Sequence, residues 1–182
     1  MRMKKRRGQI WVETVLYTLI GLALIGAVLA LATPKINEAK DRAVIEQSVD
    51  SLNVLDGKIR DVLDKGDGNI RKVELLTLKR GKLTINPLND NIVFFIDGLE
   101  KPYSEPGVAI EVGSIKITSE EGAKKSTVSL ELNYSSSFNL TYNGGEEIRS
   151  FTAASIPYSF SFENKGVSGD LIIVDVKETS RE

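Results

Sequence analysis

Residues 10–32 read IWVETVLYTLIGLALIGAVLALA, and this stretch decides how the rest of the chain is understood. It carries a single charge, Glu13. As a helix it would be about 35 Å long at 1.5 Å per residue. A bilayer's hydrocarbon core is about 30 Å thick, so the segment is long enough to cross it. A secretory signal has a shorter apolar region, about 7–15 residues, followed by a small-residue cleavage site. Here the run is longer and passes straight into Pro34 and Lys35. Before it stand Arg2, Lys4, Lys5, Arg6 and Arg7 with no acid. After it, Lys35 is balanced by Glu38 and Lys40 by Asp41. Basic residues stay on the cytoplasmic side of a span, which predicts a cytoplasmic N-terminus and a C-terminal domain outside the cell. The basic tip is therefore read as a topology signal. With a net charge of −1 the chain offers no general attraction for nucleic acid.

Glu13 carries the most information within the span. A carboxylate at the centre of a bilayer costs about 2.5–3.5 kcal/mol, and less near the end of a helix. One turn into the run, it can reach the headgroups. Alternatively it pairs with a cation in an assembly. Small residues also recur four apart, Ala23 with Ala27 and Gly26 with Ala30, a spacing that lets two helices approach closely.

Residues 4–17, KKRRGQIWVETVLY, resemble the class III signal peptide of archaeal type IV pilin-like proteins. That pattern is a short basic leader, a small residue before the cut, a Gln that becomes the new N-terminus, and a Glu four residues later. The resemblance implies cleavage between Gly8 and Gln9 by a prepilin-type signal peptidase. The apolar run would be retained. It also implies that the new α-amine of Gln9 pairs with Glu13, often that of a neighbouring subunit, offsetting the desolvation of both charges. Trp11 and Tyr17 stand where the archaeal pattern often has a small polar residue and a leucine. The resemblance covers roughly the first 30 residues and does not reach residues 70–182.

The chain contains neither cysteine nor histidine. Disulfides, thiolate metal sites, and Ser-His-Asp or Cys-His catalysis are thereby excluded for it. Glycine-rich phosphate loops are absent as well. The sequence predicts no enzyme, no cofactor and no metal. Asp61, Asp64 and Asp67 lie close in sequence but do not have the spacing of an EF-hand loop, so residues 64–69 read as a polar turn.

Past Pro34, which disfavours α geometry at Thr33 and predicts a kink there, apolar residues recur at Ile45, Val49, Leu52, Leu55, Ile59 and Val62. Steps of three and four describe one helical stripe. Glu38 and Arg42 are spaced to pair on the outer face. Gly66 and Gly68 terminate the helix, and the stripe is expected to pack on the chain's own β domain.

From residue 70 the period becomes two. Strands are predicted at 91–96, 108–112, 114–119, 126–134, 137–142, 147–153, 155–163 and 169–177. The run 73–85 adds β character with a turn at Arg80–Gly81. NPLND, EPG, EEGAKK, NGGEE and NKG supply the turns between them. Phe138, Tyr142, Phe151, Tyr158, Phe160 and Phe162 are read as core. Asn133 and Asn139 each open an N-glycosylation sequon.

The expected protein is thus α+β: a leader at 1–8, a transmembrane helix at 9–33, an amphipathic stalk helix at 34–66, and an antiparallel, sandwich-like extracellular head at 70–182. The expected function is that of a structural subunit of a type IV pilus-like surface filament, which assembles with itself or related subunits. The rival is a membrane-anchored extracellular binding module that never polymerises.

Overall fold

The computed structural model describes residues 7–179. Arg2, Lys4, Lys5 and Arg6 of the basic tip lie outside them. The fold is α+β. A helix, α1 (Arg7–Leu63), precedes ten strands, and the chain divides into two units, the second beginning at Asp41.

Within the first unit the stretch 11–32 of the helix is apolar apart from Glu13 and two threonines, and exposed or half-exposed around its whole circumference. From Trp11 it is long and apolar enough to cross a membrane, and its most apolar stretch is not buried by the rest of the described chain. The kink expected at Pro34 is not a break: α1 continues through Thr33 and Pro34. Proline removes one backbone donor. The carbonyl left without that donor is that of Ala30, four residues earlier, while the Thr33 hydroxyl donates to the neighbouring Leu29 carbonyl at 2.7 Å.

In the second unit α1 changes character. Ile45, Leu52, Leu55, Ile59 and Val62 are buried, and Val49 is partly so, on a single stripe. The charges on the outer face pair as Lys35 with Glu38 at 3.2 Å, in the first unit, and Arg42 with Glu46 at 3.0 Å, in the second. The helix stops at Leu63, short of Gly66 and Gly68, which both take positive φ in the following loop.

The strands form two sheets. One has the order β1-β9-β10-β7, from β1 (Ile70–Leu76), β9 (Tyr158–Ser168), β10 (Leu171–Glu178) and β7 (Asn139–Tyr142). The other has the order β4-β5-β6-β3-β2-β8. Its members are β4 (Ala109–Val112), β5 (Ile115–Glu120), β6 (Ser126–Asn133), β3 (Asn91–Leu99), β2 (Lys82–Asn86) and β8 (Arg149–Thr152). Alternation puts Ile92, Phe94 and Ile96 of β3, and Val128, Leu130 and Leu132 of β6, into the same core as the helix stripe. The aromatic residues are core too: Phe151 meets Phe160 edge-on at 4.9 Å, and Tyr134 stacks on Phe138 at 4.6 Å.

Three expectations are corrected. The head is not wholly antiparallel, because β7 runs parallel to β10. The chain enters β7 from the other sheet, and Asp175 on β10 fixes the direction by accepting from the Thr141 hydroxyl at 2.8 Å and the Gly144 amide at 2.7 Å. The bend at Arg80–Gly81 does not join a hairpin: β1 pairs with β9, whereas β2 pairs with β3 and β8. Gly81 marks the crossing between sheets, where φ is +93° and a Cβ would run into the Phe95 carbonyl. Finally, NKG is not a turn. Residues 164–166 lie within β9, and the reversal into β10 comes at Gly169.

Ile59 is fully buried and Val54 on the same helix is 51% exposed. In the full chain in detergent micelles, Ile59→Ala is expected to lower the urea midpoint by the equivalent of about 2–5 kcal/mol. Val54→Ala should stay within about 0.5 kcal/mol of the parent.

Candidate functional site

Two regions carry chemistry: the apolar half of α1, and the set of buried polar anchors within the head. Gly8 and Gln9 lie in the first turn of α1. Glu13 is exposed, between the exposed Trp11 and Tyr17. Among the described residues it has no hydrogen-bond or ion-pair partner. Thr18, by contrast, is satisfied within the helix, its hydroxyl donating to the Thr14 carbonyl at 2.8 Å. Glu13 is thus an exposed acid, without a partner among the described residues, on an otherwise apolar stretch of the helix.

At 3.6 residues per turn, Ala23, Gly26, Ala27 and Ala30 fall within about a third of the helix circumference. All four are exposed, and a Cβ added to Gly26 would meet nothing within 4 Å. The four therefore form a shallow, unoccupied strip against which another helix could lie closely.

In the head, three aspartates hold elements together. Asp41 accepts from Arg80 Nη1 at 2.6 Å and from the Glu100 amide at 2.7 Å, while Arg80 also reaches the Asp97 carbonyl. Asp56 accepts from Arg60 at 2.8 Å and from the Tyr134 hydroxyl at 3.1 Å, and Arg60 extends to the Ser114 hydroxyl. Burial, with the Asp56 carboxylate beside it, pushes the Tyr134 phenol far above its ordinary range. The hydrogen bond to Asp56 raises the Arg60 guanidinium in the same way. Asp175 is fully buried; its Oδ1 takes the two bonds that fix β7, and Lys177 stands 3.4 Å from its Oδ2. That Oδ2 makes no hydrogen bond, so the contact with Lys177 is an ion pair only.

A fourth anchor is Asn164. Its amide nitrogen donates to the Val62 carbonyl, and its carbonyl oxygen accepts from Gly166. Its backbone exchanges bonds with Gly68 and Asn69. The end of α1 is thereby fastened to the middle of β9. Gly166 has a φ of +83°, and a Cβ there would collide with the Asp67 carboxylate.

None of these anchors was picked out from the sequence. Asp41 and Asp56 could have been, since acids at positions 41 and 56 continue the buried stripe of α1. Asp175 and Asn164 give no such signal, because each is defined by a partner on a distant strand.

Open clefts in the head include two among the described residues. One, of about 280 Å³, lies between Gln47, Asp50, Ser51 and Val54 of α1 and residues 73–77. The other, of about 370 Å³, includes Leu88, Asp90, Thr141, Glu146 and Ile173. In the second, the Asp90 carboxylate already accepts from the Leu140 amide. Asp61, Asp64 and Asp67 do not gather: among the described residues, no cluster of three or more carboxylates is placed to hold a metal ion. Asn133 lies exposed at the end of β6, and Asn139 is half-buried in β7. Comparison with protein-family models, with curated proteins and with solved structures finds no match.

At the sheet surface, hydrogen bonds from Lys165 and Lys177 hold the Glu163 carboxyl below its ordinary value of 4.5, and the Glu163 bond raises Lys177. A depressed carboxylate stabilises the fold above its unfolded pKa and ceases to do so as pH falls through the folded value. Melting of the full chain should therefore drop between pH 5 and pH 3 by about 1–3 °C more than in Glu163→Gln, with the two proteins converging at the acid end.

Proposed function

We propose that this protein is a structural subunit of a type IV pilus-like surface filament, made as a membrane-anchored precursor. The observation that carries the reading is an exposed apolar helix segment with one acid near its start, for which the described residues supply no partner, on a chain whose globular part has its own filled core. A plain anchor needs no carboxylate at that position. An assembly in which an α-amine meets the acid does. In this reading a prepilin-type peptidase cuts between Gly8 and Gln9. The helices then leave the bilayer by packing on one another along Ala23, Gly26, Ala27 and Ala30. The sandwich-like β heads lie outside the cell and form the filament surface, where they meet cells or solid supports. Helix packing and the satisfaction of Glu13 supply the driving force.

The second reading is an anchored external binding module that never polymerises, and it is favoured by the sufficiency of the span alone for membrane attachment. The N-terminal sequence and mass of the protein from its native membranes separate the two. A chain that begins at Gln9 supports the filament subunit; one that retains Met1 or Arg2 rules it out and leaves the anchored module. The Glu13→Val variant gives an independent check. Removing one member of a buried charge pair costs about 3–5 kcal/mol. Filaments recovered by shearing should therefore fall to background, while the amount of the subunit in membranes stays the same.

A further inference from the structure

The two sequons are chemically alike in sequence but differ in the folded head. In the first, Asn133 is exposed at the last position of β6, and the chain then enters an exposed turn at Ser135–Ser137. The Ser135 amide and hydroxyl both donate to the Asn133 Oδ1, at 3.1 and 2.8 Å. The hydroxyl that defines the sequon is therefore already directed at its own asparagine, and it withdraws charge from the side-chain carbonyl. The Asn133 Nδ2 makes no hydrogen bond among the described residues.

The second sequon is committed elsewhere. Asn139 is half-buried at the start of β7 and pairs in register with Ile173. The Leu140 amide is held by the Asp90 carboxylate at 2.7 Å. The Thr141 hydroxyl donates to the buried Asp175 at 2.8 Å, so it is not free to serve Asn139. Presenting this segment to an enzyme would require stripping β7 from β10 and leaving Asp175 short of a partner in the core, which is costly for a buried carboxylate.

We propose that Asn133, and not Asn139, is an N-glycosylation site of the folded head. The co-substrate is an oligosaccharide carried on a polyprenyl phosphate or diphosphate. The Asn133 Nδ2 forms a bond to the anomeric carbon, and the bond from that carbon to the phosphate oxygen breaks. The lipid phosphate leaves with the electron pair, and the amide proton passes to a carboxylate of the transferase. Nothing is oxidised or reduced. The site rests on the reading that places the head outside the cytoplasm, where such donors are used.

The test uses the full chain purified from its native membranes. Trypsin leaves both sequons on one peptide, residues 126–149, so fragmentation that preserves side-chain modifications must assign the mass. The expected result is a hexose-containing mass excess on Asn133. Asn133→Gln and Ser135→Ala should each lower occupancy at least tenfold, while Ser135→Thr and Asn139→Gln keep it. An excess that survives Asn133→Gln, that resides on Asn139, or that is absent from the parent protein overturns the proposal. A bare Asn133 on a chain that begins at Gln9 would overturn this site alone and leave the filament reading in place.

Discussion

A helix that is apolar on every side and a helix that is apolar on one stripe require different surroundings, and α1 is both within one continuous element. The head depends on the second half. Its two sheets turn their alternating apolar residues inward, and the stripe from Ile45 to Val62 supplies part of the interior that they share. Burial of side chains such as Leu52, Ile59 and Val62 stabilises by roughly 1.5–3 kcal/mol each relative to exposure. The stripe is thus a structural component of the head as much as its stalk. The first half has no such cover in the isolated chain, so its partner is either lipid or protein.

Polar groups fix what apolar packing leaves loose. Hydrophobic contact alone would allow the stripe to slide by a turn against the sheets. Asp41 with Arg80, Asp56 with Tyr134, and Asn164 with the Val62 carbonyl set its position at the start, middle and end. Each is buried or nearly so, where an unmatched partner is expensive, and each therefore selects one register over its neighbours.

The architecture was legible in the sequence wherever period carries it. Steps of three and four gave the stripe, alternation gave the strands, and length with composition gave the apolar helix. What could not be read was which strand meets which. Asp41 and Arg80 are 39 positions apart, and Thr141 and Asp175 are 34 apart, so neither pair leaves a local mark. The parallel run of β7 beside β10 belongs to the same class of long-range fact. NKG misled for a different reason: glycine at positive φ usually signals a reversal, but Gly166 uses that conformation inside a strand, where the Asp67 carboxylate fills the place of a side chain.

The pairing of β1 with β9 also constrains the order of events during synthesis. Ile70 faces Glu163, and the end of α1 is fastened to Asn164, so the first strand and the helix terminus both wait for a segment made near the finish. β10, which closes the sheet against β9 and β7, comes later still. The apolar helix is complete and free to enter a bilayer long before any of this chain's partners for β1 exist. Contacts between segments so far apart cannot form until the later one has been made. The head can therefore become a complete domain only after its last strands have been made.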